Sequence, residues 1–311
     1  MPRFLIKLIG IGVLVFGLII GAVLMVGRIL PTRQLAYVAV RHTRSNLILL
    51  DLYHRIEVNL IPAAYMPSWS PDGQQIVFYA AEDNGLRNLY ILDVYSQHIR
   101  RLTKNGASNI DPSWSPDGRE IIFISTYDGQ GGIYVMPVDC TDSFEHCATQ
   151  LTPKDNNFYA TPIWSPDGKS IVFVSTMDTV SPTSLGNTNI YRMDPDGSHV
   201  RRLTDNPGND VNPSWSPDSR YLVYSAGNLE PSVTTALMIM DTKCNANQIC
   251  IHKLFGDNVD MTPTWSPDGS SIVFADLVDN TYELYVTDTQ GRYLQRLTYN
   301  DVSELNPRWR P

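Results

Sequence analysis

The 311-residue chain has only four cysteines and six histidines, and 18% of its residues are charged. It contains no Gly-x-Ser-x-Gly elbow, no Walker phosphate loop, no Gly-x-Gly-x-x-Gly fingerprint and no His-Glu-x-x-His pair. Together these absences argue against ordinary hydrolase or nucleotide chemistry. Basic charge is also in short supply: 24 Lys+Arg stand against 32 Asp+Glu, for a net charge of −8. Residues 1–30 hold three bases and no acid, so the remainder carries −11. That balance argues against nucleic acid as a partner, because phosphate binding needs a basic face. At 43% hydrophobic the chain is globular. Its length suits two domains or one large all-β domain.

One long apolar run stands out. Leu8 to Gly27 is twenty residues without a charge, flanked by Arg3 and Lys7 on one side and Arg28 and Arg33 on the other. As a helix it is about 30 Å long, the thickness of a bilayer core. The reading is a short tail over 1–7, an uncleaved signal-anchor helix over 8–30 and a body over 31–311. A cleaved signal peptide is the rival, but no small-x-small site follows the run. Lys and Arg flank both ends, so charge does not orient the span. The cysteines do: Cys140 with Cys147, and Cys244 with Cys250, form two close pairs suited to disulfides, which persist outside the reducing cytosol.

What fills the body is a repeat. All six tryptophans share one motif: Trp69, Trp114, Trp164, Trp215 and Trp265 each begin Trp-Ser-Pro-Asp, and Trp309 begins Trp-Arg-Pro. The spacings are 45, 50, 51, 50 and 44 residues, a period that marks a propeller or a solenoid. Each unit reads as four short strands. The first ends at the Trp. The second is a run such as Ile76-Val77-Phe78, the third such as Asn88-Leu89-Tyr90-Ile91, and the fourth such as Arg100-Arg101-Leu102-Thr103. Ser-Pro-Asp-Gly predicts a tight turn between the first two strands, with Gly where φ turns positive. Ser219 replaces that Gly in the fourth copy, which predicts strain or another turn type there. The sixth unit shows only a first strand at its Trp. The missing three match Leu35–Val40, Asn46–Asp51 and Val58–Leu60 at the start of the body. Two ends that complete one unit predict a ring, hence a six-bladed all-β propeller closed by its N- and C-terminal strands.

The Trp-Ser-Pro-Asp repeat resembles the WD40-like PD40 repeat of TolB-type propellers, over nearly all of residues 35–311. Similar repeats occur in the propeller halves of prolyl-oligopeptidase-like peptidases. The resemblance implies the fold. It does not carry a Tol–Pal role, because about 30 residues, mostly the apolar run, precede the first strand instead of an α/β domain. It does not carry peptidase activity either, because the catalytic half has no counterpart before Pro311.

The histidines (His42, His54, His98, His146, His199 and His252) mostly fall on the third-to-fourth hairpin or the fourth strand, so no metal-binding cluster is expected at the ring centre. Cys147 and Cys250 lie four residues before Leu151 and Leu254, across that same hairpin from their partners. Each disulfide would be worth about 2.5 kcal/mol on the loop-entropy model. A site built from all four thiolates is the weaker reading, since the pairs lie two blades apart. The tryptophans are expected to serve as apolar plates between blades, and the arginine pairs Arg100/Arg101 and Arg201/Arg202 to charge the outer edge. Asp194-Pro195-Asp196-Gly197 reads as a β-turn.

Five residues before each Trp stand Ala64, Asn109, Tyr159, Asp210, Asp260 and Glu304, and Asp111 lies three before its Trp. With Asp205, Asp257, Asp301 and the loops 176–188 and 226–235, these are expected on one face. The candidate binding rim is Asp111, Tyr159, Asp210, Asp260 and Glu304, either a solvated edge or a site for a cation, an amine or a basic peptide. The expected protein is thus a membrane-anchored extracytoplasmic propeller that binds a protein or peptide, without a cofactor. The alternatives are a divalent-cation-dependent enzyme acting on a glycan or similar polymer, and a structural subunit of an envelope complex.

Overall fold

The computed structural model describes residues 34–41, 44–177, 187–227, 235–244, 250–256 and 261–311. The apolar run over 8–30, His42, Asp257 and Asp260 lie outside the described residues, as do most of the loops 176–188 and 226–235. Among the described residues no helix is long and apolar enough to cross a membrane.

Six four-stranded antiparallel sheets form the blades. Blade I comprises Ala64–Trp69, Gln75–Ala81, Arg87–Asp93 and Ile99–Arg101, from the innermost strand outward. The innermost strands of blades II to V are Asn109–Trp114, Tyr159–Trp164, Asp210–Trp215 and Met261–Trp265. Blade VI is composite: Ser303–Trp309 lies innermost, followed by Gln34–Arg41, Arg44–Asp51 and Ile56–Pro62. Its register pairs Leu35 with Trp309 and Val40 with Ser303. Each innermost strand contacts the next around a closed ring, from blade VI back to blade I. The closure expected from the two ends of the repeat is therefore the observed one.

The core lies between blades. Trp69 packs with Ile76 and Phe78 of its own blade and with Ala36, Leu47 and Leu49 of blade VI. Trp114 repeats this with Ile121 and Phe123 against Val77, Leu89 and Ile91 of blade I. Alternate residues of each middle strand thus face opposite neighbours, as a pleated strand buried on both faces requires. Within blades, Phe78 stacks on Tyr90, Phe123 on Tyr134, Phe173 on Tyr191 and Phe274 on Tyr285. Such cross-strand aromatic pairs favour the register.

Each Ser-Pro-Asp-Gly turn closes on itself. In blade I, Ser70 Oγ donates to Asp72 Oδ1 at 2.6 Å and accepts from Gln75 N at 2.9 Å, while Gly73 N donates to Ser70 O at 2.8 Å. These bonds hold the carboxyls of Asp117, Asp167 and Asp268 below the usual carboxylate range, the serine hydroxyl acting most strongly. Ser219 keeps the same turn, with φ of 58° and its N–H on Ser216 O at 2.9 Å. Of the two expected outcomes, strain or another turn type, it is the strain that occurs, and the bond that Ser219 Oγ accepts from Asp167 N of blade III at 3.0 Å offsets it.

The arginine pairs are more than edge charge. Arg101 donates from Nε to Thr103 O at 2.6 Å and pairs with Glu82 at 2.6 Å. Arg202 and Arg296 repeat the first bond on Thr204 and Thr298. Arg100 crosses to Val138 O of blade II at 3.0 Å. The cysteines pair as expected, Cys140 with Cys147 and Cys244 with Cys250, at Cα separations of 6.0 and 5.5 Å. Asp194-Pro195-Asp196-Gly197 is a turn, with Gly197 N on Asp194 O at 2.9 Å.

Arg310 locks the ring. Only 3% exposed, it donates from Nε to Gly73 O at 2.8 Å, from Nη1 to Gln34 Oε1 at 2.5 Å and from Nη2 to Tyr95 Oη at 2.5 Å. Its guanidinium also lies 5.2 Å from the Trp69 ring centroid. Arg310→Ala should lower the unfolding free energy by about 3 kcal/mol, with Arg310→Lys recovering less than half, as read by chemical denaturation. Ser219→Ala should cost about 1 kcal/mol, whereas Ser219→Gly should stay within about 1 kcal/mol of wild type, because relieved strain offsets the lost bond.

Candidate functional site

All six innermost strands share x-Pro-x-Trp: Met66-Pro67, Asp111-Pro112, Thr161-Pro162, Asn212-Pro213, Thr262-Pro263 and Asn306-Pro307. Each strand is bulged just there, as in the shift between Ile110 and Ser113. The residue before each proline has positive φ, from 45° at Thr161 to 54° at Asn212 and Asn306. The physical fit is direct. The innermost strand is paired on one side only, so a proline without an N–H is tolerated at its bulge.

The bulges turn a ring of side chains onto the central channel. Met66, Asp111, Thr161, Asn212 and Asn306 are half-buried there, as are Ser68, Ser113, Ile163, Ser214 and Arg308 one residue before their Trp, whereas Thr262 and Thr264 of blade V are buried. Cross-blade bonds stitch the ring. Thr161 N donates to Asp111 Oδ2 at 3.1 Å, and Asn306 N donates to Thr262 Oγ1 at 3.2 Å.

The charged members of this ring are Asp111 and Arg308. Burial raises the Asp111 carboxyl above the usual range, opposed by the Thr161 N–H and by Arg308. Burial lowers the Arg308 guanidinium to about 10, opposed by Asp111. No ion pair joins them, so the channel presents a separated acid and base among hydroxyls and amides.

The expected rim is not an open acidic face. Asp210 and Glu304 are 0% exposed and Tyr159 only 3%. Each bonds to the residue four positions earlier. Asn206 Nδ2 donates to Asp210 Oδ1 at 2.9 Å, Asn300 Nδ2 donates to Glu304 Oε1 at 2.7 Å, and Tyr159 Oη donates to Asp155 Oδ2 at 2.9 Å. The reason is position. Five residues before the Trp, the innermost strand has just left the connecting loop, and its side chain turns inward to brace that loop. Of the described rim residues Asp111 alone is not fully buried, and Asp260 lies outside the described residues. Asp205 and Asp301 are exposed, and Asp301 pairs with Arg41 at 3.0 Å.

Three histidines bond within their own blades: His54 with Asp51, His146 with Asp142 and His199 with Asp194. Among the described residues no group of three or more His, Cys, Asp or Glu is placed to hold a metal ion.

Comparison with known proteins agrees with the repeat and the ring. The PD40 family, described as the TolB beta propeller domain, matches residues 23–182. The chain belongs to that family. A TolB homolog of Chlorobaculum tepidum is 27% identical over 118 residues, 36% of this chain and 24% of that protein. An uncharacterized peptidase, YuxL, of Bacillus subtilis is 27% identical over 105 residues, 32% of this chain and 16% of that protein. The matched region thus spans a quarter or less of either relative. Among solved structures, TolB from Acinetobacter baumannii superposes with a TM-score of 0.74 at 22% identity, covering 89% of this chain and 66% of that one. An oligogalacturonate lyase in complex with manganese gives 0.60 at 16%, covering 87% and 75%. At such identities the structural likeness shows the fold alone.

Sequence reasoning missed the x-Pro-x-Trp bulge, although proline at that place in all six copies was its signal. It also missed the Asn or Asp nine residues before the Trp that partners the inward residue in four blades.

Glu304 gives a pH test. Burial, with the Glu283 and Glu57 charges adding to it, pushes its carboxyl up to about 7, against bonds from Thr298 and Asn300. Between about pH 4.5 and 7 the folded form keeps a proton that the unfolded chain has lost, so stability should fall as pH rises through that window. Glu304→Gln should flatten this slope and raise the melting temperature at pH 8, as read by thermal unfolding at several pH values.

Proposed function

We propose that this chain is a membrane-anchored, extracytoplasmic propeller that serves as a non-catalytic protein- or peptide-binding scaffold. In this reading residues 1–7 form a tail, 8–30 the anchor and 31–311 the propeller. The two disulfides, Cys140–Cys147 and Cys244–Cys250, support an oxidising compartment. The uncharged run from Leu8 to Gly27 supports the anchor. The binding reading is carried by the channel wall. A rigid closed ring holds Asp111 and Arg308 apart, half-buried and unpaired with each other, among groups that donate and accept hydrogen bonds. Such a wall suits the polar end of an extended segment, which can meet the guanidinium with a carboxylate or carbonyl and Asp111 with an N–H. Glycan chemistry and a purely structural role are the alternatives, and no comparable feature favours either.

The test is chemical crosslinking in intact cells, followed by purification of the tagged protein and mass spectrometry. Asp111→Asn keeps the side-chain size and the acceptor for Thr161 N, and Arg308→Gln removes the charge with a shorter polar side chain. Wild type should recover a polypeptide partner that the double variant loses at least about fivefold, with an unchanged melting temperature. Equal recovery from both would overturn the channel as the binding site, and an empty list from both would overturn the scaffold reading.

A further inference from the structure

Between blades IV and V, on the face of the Ser-Pro-Asp-Gly turns, lies a cleft of about 480 Å³. Its walls repeat, position for position, the socket that holds Arg310 between blades VI and I. Trp265 stands where Trp69 stands, and Gly269 where Gly73 does. Gln290, two residues after Asp288, matches Tyr95, two after Asp93. Tyr221, which accepts Ser216 N on its carbonyl, matches Gln34, which accepts Arg310 N. All four line the cleft, together with Ser216, the counterpart of Arg310 itself.

The two sockets differ in what fills them. Arg310 reaches across the blade junction and spends its guanidinium on Gly73 O, Gln34 Oε1 and Tyr95 Oη. Ser216 is too short to do so: its Oγ turns back to Asp218 Oδ1 at 2.5 Å, and the Pro217 ring lies beside Gly269. Between blades I and II the chain also crosses with an arginine, Arg100 to Val138 O. In the IV–V cleft the two outer strands of blade IV contribute Ile239 and His252 instead.

The cleft also carries charge, with Asp268 at the position that Asp72 holds beside Gly73. Asp218 and Asp268 both line it. Asp268 is held well below the usual carboxylate range, chiefly by the Ser266 hydroxyl, and so is ionised at neutral pH. The nearby Arg220, 5.0 Å from the Tyr221 ring centroid, is already paired with Asp241 at 2.8 Å.

We propose that the IV–V cleft is a binding socket for the guanidinium of an arginine side chain supplied by a partner polypeptide, seated as Arg310 is seated between blades VI and I. The Trp265 face receives the cation, the Gly269 carbonyl and the Gln290 amide oxygen accept its N–H groups, and the two aspartates balance its charge. Lysine fits less well, because its ammonium cannot bridge several acceptors in one plane. The socket rests on its own geometry and does not depend on the channel as a binding site.

The test follows the indole N–H of Trp265 and the amide of Gly269 by two-dimensional 1H–15N NMR on the full-length chain in detergent micelles. The probe is N-acetyl-arginine amide, with the lysine and citrulline analogues as controls. Both signals should shift saturably with the arginine probe and at least about fivefold more weakly with either control. Asp268→Asn should weaken the arginine probe about tenfold. Ser216→Arg should abolish its binding, because the introduced side chain fills the socket from within. Non-saturating shifts, equal response to lysine or citrulline, or full-strength binding by Asp268→Asn would overturn the proposal. Should Ser216→Arg fail to fold, the ligand series and Asp268→Asn still decide it. Loss of the cellular partner on altering Asp111 and Arg308 would leave this result untouched, so the two readings fail separately.

Discussion

Everything in this protein depends on closing the ring. A blade buries its faces only against its neighbours, so an unclosed ring would expose the apolar faces of two blades. Closure is achieved by a sheet drawn from both ends of the repeat, with Leu35 opposite Trp309. A buried guanidinium then fastens that composite blade to blade I. Arg310 donates to three neutral acceptors and lies over the Trp69 and Tyr95 rings, so its desolvation is offset by three hydrogen bonds and two cation–π contacts. The lock touches blade VI through Gln34 and blade I through Gly73 and Tyr95, so it acts on both sides of the seam.

The repeated Trp motif does two jobs at opposite ends of one short strand. At its outer end, Trp-Ser-Pro-Asp fixes a turn whose serine and aspartate satisfy the backbone locally. At its inner end, the preceding proline accompanies a bulge that holds a non-glycine residue at positive φ. Six such residues in a ring are an unusual accumulation of backbone strain. They also set what the channel wall displays, because each bulge re-aims the side chain that precedes the proline. The strain and the display are therefore one feature, and the stability of the closed ring is what sustains it.

The acids show how position decides the role of a residue type. Asp210, Glu304 and Asp111 are all carboxyls near the start of an innermost strand. The first two lie five residues before the Trp and turn into the blade, where Asn206 and Asn300 hold the loop against them. Asp111 lies three before the Trp, at the bulge, and faces the channel. A shift of two residues along a regular strand would keep a side chain on the same face. Here it does not, because the bulge intervenes.

The sequence by itself determined the blade number, the four-strand unit, the turn chemistry, the cysteine pairing and the origin of the closing strand. Each of these is written in local periodicity or in the match between the two ends of the chain, and neither needs coordinates. It also located the tryptophans between sheets, since a large apolar residue recurring once per blade has few other places to go. Only the tertiary structure decided which carboxyls are buried, because burial at a bulged strand does not follow the two-residue alternation that sequence patterns assume. Only it revealed Arg310 as a lock and the IV–V cleft as its unfilled counterpart. Arg310 and Gly73, for example, lie on different blades and 237 positions apart in the chain, and the ring alone brings such residues together.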